Sequence, residues 1–110
     1  MSASMRYEDL LALQGRECQL HLLDAQQAID LSALLTEVTV RRERQGYEQF
    51  SLLFRARATE MPQQGIYSVS FDGDEARECF LVPIGREGDE VSYEACFNRE
   101  STVVDSAGAK

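Results

Sequence analysis

The amino-acid sequence predicts a mainly β domain at the α+β margin. The architecture is a small antiparallel β-barrel or a compact sandwich of about six to seven strands behind one short N-terminal helix. Three observations carry this. Apolar residues recur at every second position through most of the chain. Turn residues, among them Gly46, Asp72-Gly73 and Gly88-Asp89, interrupt that alternation at short intervals. The intervals are too short for the crossovers that parallel strands require.

The run MRYEDLLALQ, residues 5–14, reads as the helix. Leu10, Leu11 and Leu13 give it an apolar edge. Ser4 stands as N-cap, Glu8 and Asp9 lie near the positive end of the dipole, and Gly15 is a natural stop. Cys18, Leu20 and Leu22 then alternate with Gln19 and His21 as a half-buried strand, and residues 24–27 make a polar turn. Residues 25–35 contain good helix formers, so a helix is open there. The alternation of Ile29, Leu31 and Ala33 favours a strand. It resumes at Val38 and Val40 after a slip near Leu34-Leu35, as a β-bulge would produce.

The charged stretch 41–49, with Gly46, is a loop or a solvated hairpin tip. Further strands are expected at 50–56, 66–71, 79–84 and 91–97. Between them lie a Pro62-containing turn at 59–65 and two turns built on Asp-Gly and Gly-Asp, pairs that tolerate positive φ. Residues 1–98 are expected to form one domain and 99–110 a frayed tail. Two strands are apolar on both faces: Leu53 opposes Phe50, Leu52 and Phe54, and Leu81 opposes Phe80 and Val82. The N-terminal helix is the one visible lid. Where it does not reach, a second subunit or a partner must cover the surplus.

The chain has 110 residues, 44% of them hydrophobic, enough for the core of one domain. With 19 acidic and 11 basic side chains, the net charge of −8 disfavours nucleic acid and anionic membranes as partners. Residues 1–16 show no apolar secretory core, so a cytoplasmic protein or a component of an assembled particle is expected. The three cysteines, Cys18, Cys79 and Cys96, form no CxxC pair and read as free thiols. Cys18 falls in phase with buried leucines, whereas Cys96 is out of phase with its apolar neighbours and more accessible.

Catalytic chemistry is sparse. His21 is the sole histidine, with no ligand or carboxylate at a useful spacing along the chain. Asp72–Glu75 superficially resembles a calcium loop but lacks its length and its distal glutamate. Glu87, Asp89, Glu90 and Glu94 fall mostly at a hairpin tip, where charge is solvated. No cofactor fingerprint is present, and no cofactor or metal is expected. Leu53, Arg55 and Arg57 share one strand face and form the candidate partner-binding surface. Cys96 is the candidate reactive thiol.

Four segments, FSLLFRA (50–56), MPQQGIY (61–67), FLVPIG (80–85) and YEACFN (93–98), resemble a family of small uncharacterised bacterial proteins. That family carries FSLLFRG, PQGxY, LFLVPVG and YEAVFN runs. The resemblance implies a mostly β domain without established catalytic residues. Phage-tail-collar-like neighbours imply an assembly role. FDGDE (71–75) stands where the family has a His-Pro turn.

These readings favour a non-enzymatic interaction or assembly protein with a protein partner or self-association. The alternative is a small-ligand-binding barrel, which needs an open interior. A cysteine-dependent enzyme, with Cys96 as nucleophile and His21 as a distant base, ranks behind both.

Overall fold

A strand with one apolar face must bury it, and a sheet closed on itself buries all such faces together. The computed structural model, which describes residues 4–23, 29–57 and 61–100, shows that solution. Helix α1 spans Tyr7–Leu11. The strands are β1 (Glu17–Leu22), β2 (Asp30–Val38), β3 (Arg42–Arg44), β4 (Tyr47–Arg57), β5 (Gly65–Phe71), β6 (Arg77–Glu87) and β7 (Glu90–Glu100). Their order is β2-β1-β5-β6-β7-β4-β3, and a β2–β4 pairing closes six of them into an antiparallel barrel. Strand β3 stands outside as an extension of β4.

The barrel therefore prevails over the sandwich. Residues 30–38 are strand, which settles the helix alternative for the described part of 25–35. The expected turn at 24–27 lies outside the described residues, as do positions 59 and 60 of the Pro62 turn.

Alternation sends Phe50, Leu52, Phe54 and Ala56 inward from β4. Tyr67, Val69 and Phe71 enter from β5, Cys79 and Leu81 from β6, and Val91, Tyr93 and Ala95 from β7. Cys18, Leu20, Leu22, Ala33, Leu35 and Val38 complete the core. The rings of Tyr67 and Tyr93 meet edge to face at 5.8 Å, and the Tyr67 hydroxyl donates to the Gln63 carbonyl at 2.6 Å. Burial pushes both phenols up. The interior that a ligand-binding barrel would keep open is thus occupied by Phe54, Tyr67, Leu81 and Tyr93.

Several local expectations shift. The helix is shorter than residues 5–14. Its N-cap is Arg6, and Ser4 instead bonds the Asp9 carboxylate and the Arg6 N–H. The chain turns at residues 12–15, with Gly15 at φ 88°, because Gly15 must donate to Leu35 O at 2.7 Å and Gln14 must reach Val38 N–H. These bonds seat Leu10 and Leu13 across one end of the barrel. The β2 bulge falls between Leu35 and Glu37, just past the expected slip, and Val40 is exposed beyond the strand.

Residues 41–49 hold a hairpin with a two-residue tip. Gln45 and Gly46 both have positive φ, 54° and 85°, the requirement of a type I′ turn. Strand β7 continues to Glu100, so Arg99 and Glu100 belong to the sheet and not to a tail.

Candidate functional site

The most elaborate polar construction closes the barrel end beneath α1. Glu48 lies in phase with Phe50, Leu52 and Phe54, so alternation carries a carboxylate inward. It is 1% exposed. Arg41 Nε donates to its Oε1 at 2.6 Å and Arg99 Nε to its Oε2 at 2.7 Å. Burial alone would push Glu48 up. The two guanidinium hydrogen bonds outweigh it and hold the carboxyl below its usual range.

Arg99 is held further. Its Nη2 donates to Met5 O at 2.6 Å, and its guanidinium lies 5.4 Å and 5.1 Å from the ring centres of Phe50 and Phe97. Those rings stack at 4.7 Å, and Tyr7 meets Phe50 edge-on at 4.9 Å. Every Glu48 oxygen has a partner, so the cluster clamps the N-terminal segment and has no unpaired oxygen to offer a substrate. A second clamp repeats the theme: buried Arg77 donates to Ser4 O at 2.8 Å and to Asp74 Oδ2 at 3.1 Å.

The expected partner face is on the outside of β4. Leu53 is half-buried, and its strand neighbours are Glu37 on β2 and Glu94 on β7. Arg55 and Arg57 are exposed and reach Glu90 and Asp89, each at 3.8 Å. These loose pairs with hairpin acids leave both guanidiniums hydrated.

Cys96 is exposed on β7, 3.7 Å from Ser51 Oγ. The other two thiols are buried, which pushes Cys18 up to about 12 and Cys79 up to about 11. For Cys18 the Cys79 charge adds to the effect. His21 cannot serve Cys96, because β5 and β6 stand between their strands. That separation is roughly 14 Å at the usual strand spacing.

His21 does have a carboxylate neighbour, supplied by the adjoining strand nine residues along the chain. Cross-strand register sets its Nδ1 2.6 Å from Asp30 Oδ1 and aligns Ser68 on its other side. No hydrogen bond joins Ser68 to His21 among the described residues. Both side chains of the pair are exposed on the outer face of the sheet. They form a solvent-exposed hydrogen-bonded pair across β1 and β2.

A fourth region was legible only in part. Ile66, Phe80 and Ile84 are exposed, and Val82 is half-buried, on the outer face of β5 and β6. Ile66 and Phe80 are direct cross-strand neighbours. Beside them runs a groove of about 350 Å³ between β6 and β7, lined by Phe80, Val82, Glu94, Cys96 and Phe97 among others. It exists because the β6–β7 ladder ends at Val82↔Glu94. Beyond that point β6 pairs with β5 and β7 with β4, and the two strands diverge. Helix α1 covers the barrel end and does not reach this face.

The family comparison matches residues 5–97 to the model of a domain of unknown function, DUF6916. The chain belongs to that family. No curated protein and no solved structure matches it. The DUF6916 match takes in α1, β1 to β6 and β7 as far as Phe97, and therefore includes the Glu48 clamp except Arg99. Among the described residues, no three His, Cys, Asp or Glu side chains of this DUF6916 domain gather as a metal site. No described helix is long and apolar enough to cross a membrane.

Proposed function

We propose that this DUF6916 domain is a non-enzymatic interaction or assembly module that works through the outer wall of its barrel. On the motif resemblance, its setting is an assembly of the phage-tail kind. One observation carries the reading: the domain fills its interior and still leaves Phe80 53% and Ile84 54% exposed on β6, with half-buried Val82 between them. Keeping large apolar side chains in water has no folding benefit, and contiguous ones mark contact surfaces. The same wall holds the Leu53, Arg55 and Arg57 face two strands away, across β7.

The test is a Phe80→Lys variant. Wild-type chain should form a defined oligomer or retain a protein partner on affinity purification. The variant should lose that association while keeping the wild-type melting temperature. A wild-type chain that stays monomeric at high concentration and retains nothing refutes the module.

A further inference from the structure

We propose that the open β6–β7 seam docks an extended segment of a partner protein, one carrying an apolar side chain between two lysines or arginines. This rests on the interaction reading above and specifies its partner.

The seam offers unused strand edges. The ladder between β6 and β7 stops at Val82↔Glu94, yet β6 begins at Arg77 and β7 runs on to Glu100. Among the described residues, the facing edges of Cys79–Leu81 and Ala95–Phe97 therefore have no ladder partner on the seam side. An incoming strand pairs its main chain with such an edge and sets alternate side chains into adjacent pockets. The floor here is apolar, with Phe80 and Val82 on one wall and Phe97 on the other.

Charge selects the occupant. Glu78 lies at one end of the exposed β6 stretch, and Glu94, level with Val82, lies at the other. Among the described residues neither has an ion-pair or hydrogen-bond partner, whereas Arg55 and Arg57 are engaged with the β6–β7 hairpin. The two carboxylates are four strand positions apart, roughly 13 Å by strand rise, which is the span from position i to i+4 of an extended chain. A segment of the form Lys-x-Val-x-Lys thus places a cation near each glutamate and its valine level with Phe80, facing the Phe97 side of the groove. The domain's net charge of −8 steers the same cations inward and opposes a second copy of this chain.

The other exposed edge shows the contrast. Strand β3 is Arg-Glu-Arg, short and wholly exposed, the usual protection against strand addition. Among the described residues, no such protection lines the seam-side edges of Cys79–Leu81 and Ala95–Phe97.

The experiment titrates ¹⁵N-labelled chain with a capped peptide of about seven residues, alternating threonine with Lys-Val-Lys, a length suited to one strand. A counterpart replaces both lysines by glutamate. The expected result is saturable binding of the cationic peptide, with amide shifts confined to Cys79–Val82 and Glu94–Phe97. The doubly substituted chain Glu78→Lys, Glu94→Lys should bind it about tenfold more weakly or worse, since like charges now face each other. Because Glu78 is exposed and Glu94 half-buried at the surface, that chain should melt as the wild type does. Equal binding of the acidic peptide, shifts elsewhere, or no binding at millimolar peptide overturns the proposal. If peptide binding fails while Phe80→Lys still abolishes an oligomer or partner, the module stands and its occupant differs. If Phe80→Lys abolishes nothing, both readings fall.

Discussion

Two regions at the β7 strand treat exposed chemistry in opposite ways. At one end, Glu48, Arg41 and Arg99 bring charge into the protein and satisfy all of it. At the β6–β7 seam, Phe80 and its neighbours bring apolar surface out of the protein and leave it uncovered. The first arrangement is costly to break, because losing an arginine leaves the buried Glu48 carboxylate short of a partner and losing Glu48 leaves two half-buried guanidiniums side by side. The second costs nothing to break in the isolated chain, because the residues contribute little to its core. Stability and interaction are thus assigned mostly to different residues of the same strands, with Phe97 shared between the clamp and the groove wall.

The largest expected effect tests the closed end. Glu48→Gln keeps the shape but leaves two guanidiniums facing a neutral amide. It should lower unfolding free energy by about 3–5 kcal/mol in urea titrations, the usual cost of removing one member of a buried ionic cluster. A loss below about 1 kcal/mol would mean that water already compensates the arginines. Replacing Arg41, Glu48 and Arg99 together by apolar residues should be milder than the single change.

The same cluster sets an acid limit. Because the folded Glu48 carboxyl is held below its usual value, its stabilisation is fully present above the unfolded value of about 4.3. It is lost as pH falls through the lower folded value. Thermal melts should therefore show no pH dependence from this group between neutrality and about pH 5, where its contribution is complete, and a falling contribution below about pH 4. The Glu48→Gln chain should lack that part of the acid slope. A parallel slope in both proteins would assign acid sensitivity to other carboxylates.

How much of this was legible depends on what each feature requires. Strand identity needs only alternation, so β1, β4, β5 and β7 were readable from Cys18-Leu20-Leu22 or Phe50-Leu52-Phe54 alone. The Glu48 cluster was also written there: Glu48 shares the phase of Phe50, and Arg99 that of Phe97, which places charge among core positions. That signal is hidden when a charged stretch is read only as a loop. Register was not readable. His21 and Asp30 meet because β1 pairs with β2 at that offset, and the seam opens because β6 exchanges neighbours midway. Both are properties of closure, which emerges from the whole barrel. The helix shortened for the same reason, as the hydrogen bonds from the Gly15 N–H to Leu35 O and from the Val38 N–H to Gln14 Oε1 prevailed over local propensity.

Thiol reactivity gives a smaller, sharper contrast. Cys96 should react with a colorimetric disulfide reagent in the native protein within minutes, and Cys18 and Cys79 only after unfolding. Burial both blocks access to the two inner thiols and disfavours their thiolates. A native count above one per chain would show that the barrel opens on that timescale.

The smallest effects belong to the outer wall. Arg55→Ala and Phe80→Lys should each change unfolding free energy by no more than about 0.5 kcal/mol, as surface substitutions do. Arg55 gives up a loose 3.8 Å pair with Glu90 whose groups are both open to water. Phe80 gives up a contact with Ile66 that solvent already reaches. The two should part only when a partner is present. Phe80→Lys puts a fixed cation where an apolar side chain is required, so association should fail. Arg55→Ala lies two strands away from β6 and should leave it intact. If both variants abolish association equally, the contact extends across β7 to the Leu53, Arg55 and Arg57 face, and the seam is one part of a broader surface. If Phe80→Lys instead lowers stability by several kcal/mol, its ring belongs to the fold, and the division between a closed end that stabilises and an open seam that binds does not hold.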